Sequence, residues 1–220
     1  MYQGDIMGGF VMDVAPPNMP SSLSDTAYAL PTVLSREAES SLVRLSANIL
    51  RRNNLDNGTY AFEVQVRAGL PHFHKLNASA GGKFMGDWSE HVFDWNIAVA
   101  AAMVACGIPP PRMPPLREDI TNTHIAGVLL YPSRHRIHKG TLKNLSEKGV
   151  CDIFDMGKRE YEVEMKQLGH EHASVLLFCS DVSRKLVKKK LEVALQVLEV
   201  DDASAAPNSN WFVENLCPRR

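Results

Sequence analysis

No pair of cysteines stands at the C-x-x-C spacing; the 4 cysteines, Cys106, Cys151, Cys179 and Cys217, are scattered along the chain. That excludes a zinc ribbon and a dense disulfide framework. Cys106 and Cys179 lie in apolar runs, where a thiol acts as a small hydrophobe. Neither charge sign is in excess, since 24 Lys and Arg meet 25 Asp and Glu. A uniformly basic nucleic-acid binder is thereby excluded, and any pull on phosphate must come from local clustering. Export signals are lacking too. The opening MYQGDIMGGF has neither a basic n-region nor a continuous apolar h-region. Gly4 is not at position 2, and Cys217-Pro218-Arg219-Arg220 is no prenylation box. The apolar stretch Ile97–Cys106 spans about 15 Å as a helix, against about 30 Å of bilayer core. A cytoplasmic, reducing location is expected, in which the sequons at Asn57, Asn77 and Asn144 carry little weight.

Signatures of catalysis are also missing. G-x-S-x-G, a P-loop and G-x-G-x-x-G do not occur. Gly81-Gly82-Lys83 lacks the first glycine and the following Ser or Thr of a phosphate loop, and reads as a flexible turn. Aromatic content is 7%, with no aromatic strand motif interleaved among basic residues, so base stacking is a weaker expectation than phosphate contact.

What is present builds an ordinary globular chain. With 220 residues and 45% hydrophobic content, one domain with mobile ends is expected. Residues 1–35 hold Gly8-Gly9, Pro16-Pro17, Pro20 and Pro31 without any period, and read as a flexible arm. Residues 36–200 read as a compact domain and 201–220 as a loose tail. Ser35 caps an expected helix at 36–52, with Ala38, Leu42, Leu45 and Ile49 as its stripe. Thr59–Arg67 alternates apolar and polar, the mark of a half-buried strand, and 68–87 reads as irregular. One helix is expected at 88–106, its second half apolar on every side and hence central to the core, with Trp88 and Trp95 on one face. Gly107 supplies a left-handed end, and 108–116 is extended, proline-rich chain. Strands follow at 124–131, 159–167 and 173–179. An amphipathic helix at 180–199 closes the domain, with Val182, Leu186, Val187, Leu191, Ala194, Leu195 and Leu198 on its apolar face. The order implies an α+β fold: a mostly antiparallel sheet of about four strands packed by two or three helices.

Candidate chemistry comes from histidines and from basic clusters. In an extended segment H-x-H puts both rings on one side, so His72 with His74, and His170 with His172, are candidate metal ligands, joined by His91, Asp87 or Glu171. No metal signature is complete, and no cofactor is expected. Two histidines with Lys139 or Lys143 would also suffice for acid–base cleavage of a phosphodiester. Basic residues form the better-supported feature. Arg36, Arg44 and Arg51 lie on the first helix, Arg134, Arg136 and Lys139 in the 134–148 segment, and Arg184, Lys185, Lys188, Lys189 and Lys190 on the last helix. Together they are candidate contacts for nucleic acid or an acidic membrane surface.

A proline-bearing arm ahead of an α+β domain with basic patches resembles the layout of viral matrix proteins, a likeness of arrangement that transfers no residue. The function expected from the sequence is therefore a non-enzymatic assembly protein. It self-associates, engages protein partners through the arm or the 109–115 proline segment, and binds an anionic partner. The alternative is a histidine-dependent or metal-assisted phosphodiesterase or nuclease.

Overall fold

The computed structural model describes residues 1–14, 27–79, 84–114, 123–130, 139–155 and 175–198. The expected 159–167 strand, the 81–83 turn, residues 15–26 of the arm and the 201–220 tail lie outside them. The chain divides into two compact units, residues 1–11 with 34–121, and residues 12–33 with 122–220.

In the first unit, helix α1 (Arg36–Arg52) begins where the Ser35 hydroxyl accepts the Ala38 N–H, as expected. Glu37 and Glu39 in its first turn and Arg51 and Arg52 in its last complement the helix dipole. Its buried face differs from the expected stripe: Glu39, Leu42, Ala47 and Leu50 point inward, while Leu45 is 40% exposed. The reason is that the Glu39 carboxylate accepts the backbone N–H of Val11 at 3.2 Å, so a charged residue shares the inward face. A periodicity count on apolar residues alone misses such a position.

Strand β3 (Ala61–Arg67) appears where the alternation put it, but its partner lies in the stretch expected to be irregular: β4 (Leu70–Asn77) pairs with it antiparallel. Ala68 and Gly69 join them at φ 49° and 78°, the left-handed pair that a tight hairpin needs. Phe62 and Phe73 meet edge to face across the ribbon at 5.5 Å.

The single expected helix at 88–106 is two helices, α2 (Met85–Phe93) and α3 (Ile97–Ala105). Asp94 breaks it in the left-handed region at φ 51°, and the Asn96 side chain restarts it by accepting from Ala98 and Val99. Trp88 and Trp95 are both buried, one on α2 and one in the bend. Ser89 fastens the corner by donating to Gly86 O and accepting from Ile97 N. The central-core reading of α3 does not hold. Of its residues only Ala100 is buried, and Val99 is 55% exposed. Uniform hydrophobicity states what a helix tolerates; tertiary contact decides what covers it. Residues 1–11 are bound into this unit through Tyr2 Oη on Gly107 O and the stacking of Phe10 on Phe93. At Gly8 an added Cβ would lie 2.9 Å from the Trp95 ring, so only glycine permits that approach.

The second unit is a five-stranded sheet in the order β1 (Asp13–Val14), β2 (Ala27–Leu30), β5 (His124–Leu130), β7 (Val175–Asp181), β6 (Asp152–Asp155). Every pairing among these described strands is antiparallel. The α+β class with an antiparallel sheet thus matches the expectation, although β1 and β2 come from the arm and β3 pairs with β4 alone. Helix α4 (Lys139–Glu147) precedes β6, and α5 (Arg184–Val197) closes the unit. Two rows run across one face of the sheet, Ala29–Ala126–Cys179 and Ala27–Val128–Leu177. Against these small, buried side chains pack Val187, Leu191, Ala194, Leu195 and Leu198. The amphipathic reading of α5 survives except at its start, where Val182 and Leu186 are 67% and 43% exposed.

Candidate functional site

Among the described residues, a constellation of ionisable side chains lies where β5 begins and β7 ends. Register places His124 opposite Asp181. Helix α5 starts shortly after β7, its N-terminus capped by Ser183, so its first turns stand over the same end of the sheet. Lys190 donates to Asp181 at 2.9 Å and to the Ser180 carbonyl at 3.0 Å. Arg184 donates both to the Pro31 carbonyl and to Asp13. Asp13 also accepts from the Thr32 hydroxyl at 2.6 Å and from the Val33 N–H at 3.0 Å. Two carboxylates and two cations therefore neutralise one another.

The electrostatic consequences follow from those contacts. The hydrogen bond from Lys190, with the Val182 N–H second, holds the Asp181 carboxyl below the ordinary aspartate range. Burial, and then the neighbouring Arg184, hold His124 below the ordinary imidazole range, so the ring is neutral near pH 7. Its buried Nδ1 has no hydrogen-bond partner among the described residues. The cluster is first a clasp, fastening α5 to the β1–β2 segment and to β7, with one neutral imidazole inside it. Sequence reading singled out Arg184 and Lys190 but not Asp13, His124 or Asp181. Asp13 and Arg184 are separated by 171 positions, and no local pattern couples them.

The other expected cations stand outside this clasp. Lys188 stands 3.8 Å from Glu192 on the same helix, while Lys185 and Lys189 face solvent. In the first unit Arg36 is exposed, Arg44 donates to Ser41, and Arg51 donates to Gly4 O at 2.7 Å and to Asn48. Arg134 and Arg136 lie outside the described residues, and Lys139 opens α4.

The β3–β4 ribbon carries the His72 and His74 pair. Both are exposed, His72 opposite Gln65 and His74 at a bulge, where the partners of Glu63 and Val64 are Lys75 and Phe73. Lys75 binds Glu63 at 2.9 Å and Arg67 donates to Gln65. His170 and His172 lie outside the described residues. Among the described residues no three His, Cys, Asp or Glu side chains gather to hold a metal ion. Nor is any helix there long and apolar enough to cross a membrane.

No protein-family model matches the chain. Carnosine synthase 1 of Gallus gallus is 29% identical over 172 residues, covering 74% of this chain and 18% of that protein. Carnosine synthase 1 of Homo sapiens is 27% identical over 161 residues, covering 70% of this chain and 19% of that protein. Among solved structures, an L-amino acid ligase from Bacillus licheniformis superposes with a TM-score of 0.58 at 13% identity, over 92% of this chain and 50% of that one. N5-carboxyaminoimidazole ribonucleotide synthetase from Thermus thermophilus gives 0.58 at 12% identity, over 80% and 43%. These relatives are synthases and ligases.

The likeness to the solved structures is one of fold. This chain spans less than a fifth of the carnosine synthases it matches. Even so, these relatives overturn the non-enzymatic assembly reading with its viral, RNA-binding and membrane-surface associations, and the nuclease alternative with it. Local charge clustering counted Arg184 and Lys190 on a helix face without their partners. Arg184 and Lys190, the cations that close the clasp, are spent on Asp13 and Asp181.

Proposed function

We propose that this chain is part of an ATP-dependent ligase of the ATP-grasp kind, joining a carboxylate to an amine, with carnosine synthase as its sequence relative. The observation carrying the reading is the 29% identity over 172 residues to carnosine synthase 1. It is supported by the fold shared with an L-amino acid ligase and with a synthetase solved as an ADP complex. In such a reaction ATP supplies the free energy for the amide bond, and ADP and phosphate leave. A cytoplasmic location, where ATP and free amino acids meet, belongs to the same proposal.

Three of the described carboxylates do not themselves fit a metal–nucleotide site. A magnesium ion carrying phosphates needs uncommitted oxygen ligands. Here Glu63 is held by Lys75, Asp13 by Arg184 and Asp181 by Lys190. No catalytic step is assigned to these residues.

The test supplies the protein with magnesium, ATP and pairs of free amino acids, following ADP by a coupled assay and products by mass spectrometry. Dipeptide and ADP in equal amounts are expected. ADP release that ignores the amino acids, or turnover without an amide product, would discard the ligase reading.

A further inference from the structure

Two cysteines that the sequence scatters lie in one buried cluster of the second unit. The β6–β7 ladder pairs Asp152 with Phe178. Continued by one residue, the same antiparallel register sets Cys151 opposite Cys179. Both side chains belong to one buried cluster beneath α5, at 4% and 1% exposure. The approach to β6 is fixed: α4 ends with Gly149 at φ 64°, and the Val150 N–H bonds to Leu145 O at 3.0 Å. Cys151 is therefore held in place by backbone on both sides. Directly opposed residues of antiparallel strands have Cα atoms about 4.5–5.5 Å apart, within the range of about 4.4–6.8 Å that a disulfide bridges. Among the described strands β6 is the edge of the sheet, paired to β7 alone, and edges open before interiors do.

We propose that Cys151 and Cys179 are a redox pair whose disulfide fastens edge strand β6 to β7. In a reducing compartment the dithiol is the resting form. Oxidation by a small disulfide such as glutathione disulfide proceeds in two exchanges. The Cys151 thiolate, nearer the edge, attacks one glutathione sulfur and releases one glutathione. The Cys179 thiolate then attacks the Cys151 sulfur of the mixed disulfide and releases the second. Two protein thiols become one S–S bond, and one glutathione disulfide becomes two glutathione thiols. Because both sulfurs are buried, reaction waits for β6 to open. The pair thus responds slowly, and the bond once made closes the edge through which it formed.

The test uses the whole chain carrying Cys106→Ser and Cys217→Ser, which removes the exposed Cys106 thiol and the tail thiol. The protein is incubated with glutathione disulfide, alkylated after unfolding, digested and mapped. A Cys151–Cys179 linked peptide is expected, with a thermal midpoint that rises on oxidation and returns with dithiothreitol. Adding Cys151→Ser should abolish both changes; the mapping itself needs no variant at either position. Complete alkylation of both thiols after prolonged oxidation of folded protein would overturn the proposal. So would a glutathione adduct at Cys151 that never resolves, or a linked peptide with an unmoved midpoint.

Discussion

Replacing Arg184 with Met tests whether the clasp holds the second unit together. Methionine keeps most of the apolar stem and removes the guanidinium, so lost packing contributes little. What disappears is a charge-assisted bond to Asp13 and a bond to the Pro31 carbonyl. A hydrogen bond to a charged group contributes about 1.5–3 kcal/mol, and breaking a fully buried ion pair costs about 3–5 kcal/mol. The two side chains are 14% and 22% exposed, so water reaches the orphaned carboxylate in part. Asp13 also keeps its Thr32 and Val33 donors. The loss should therefore fall near the lower range, roughly 2–3 kcal/mol. Urea unfolding followed by far-UV circular dichroism measures it. Tryptophan fluorescence is a mixed probe, because Trp88 and Trp95 belong to the other unit and Trp211 to this one. A cycle with Asp13→Asn isolates the pair. Coupling of at least about 1 kcal/mol, persisting in high salt, is expected of a half-buried pair. If the two substitutions simply add within about 0.5 kcal/mol, the clasp is surface decoration.

Three further outcomes follow from particular residues. His124 is held below the ordinary imidazole value of about 6.5 by burial and by Arg184. Below that pH the unfolded chain takes up a proton that the folded chain refuses. Stability is thus fully present above pH 6.5 and lost as pH falls toward the lowered folded value; His124→Gln should flatten that slope in urea midpoints taken between pH 7.5 and 5, and an unchanged slope would show that other groups cause it. Ala68 occupies the left-handed region at φ 49°, which costs an L-residue about 1–2 kcal/mol; Ala68→Gly should raise stability by about 0.5–1 kcal/mol in thermal unfolding, and a fall would refute the hairpin conformation. Val99, at 55% exposure on α3, should accept lysine within about 0.5 kcal/mol; a loss of several kcal/mol would restore the buried-helix reading.

Local patterns proved legible wherever the deciding force is local. The Ser35 cap, the alternation of β3, the left-handed Gly107 and the inward face of α5 each depend on residues a few positions apart. Strand β4 escaped notice because Pro71 and the histidines dilute its pattern, and its strand state comes from pairing to β3. Of the candidate site, Arg184 and Lys190 were visible as cations, but their partners were not.

What the sequence determined by itself is the Ser35 cap, the β3 alternation, the Gly107 turn and most of the apolar face of α5, and hence the α+β class, since backbone propensity and hydrophobic period act within one or two turns. Only the tertiary structure decided that α3 is exposed, that Asp13 meets Arg184, and that Asp181 faces His124. Those outcomes depend on strand order and register, where the free energy of a contact is set by a residue far along the chain, and a side chain's charge or hydrophobicity does not name its partner.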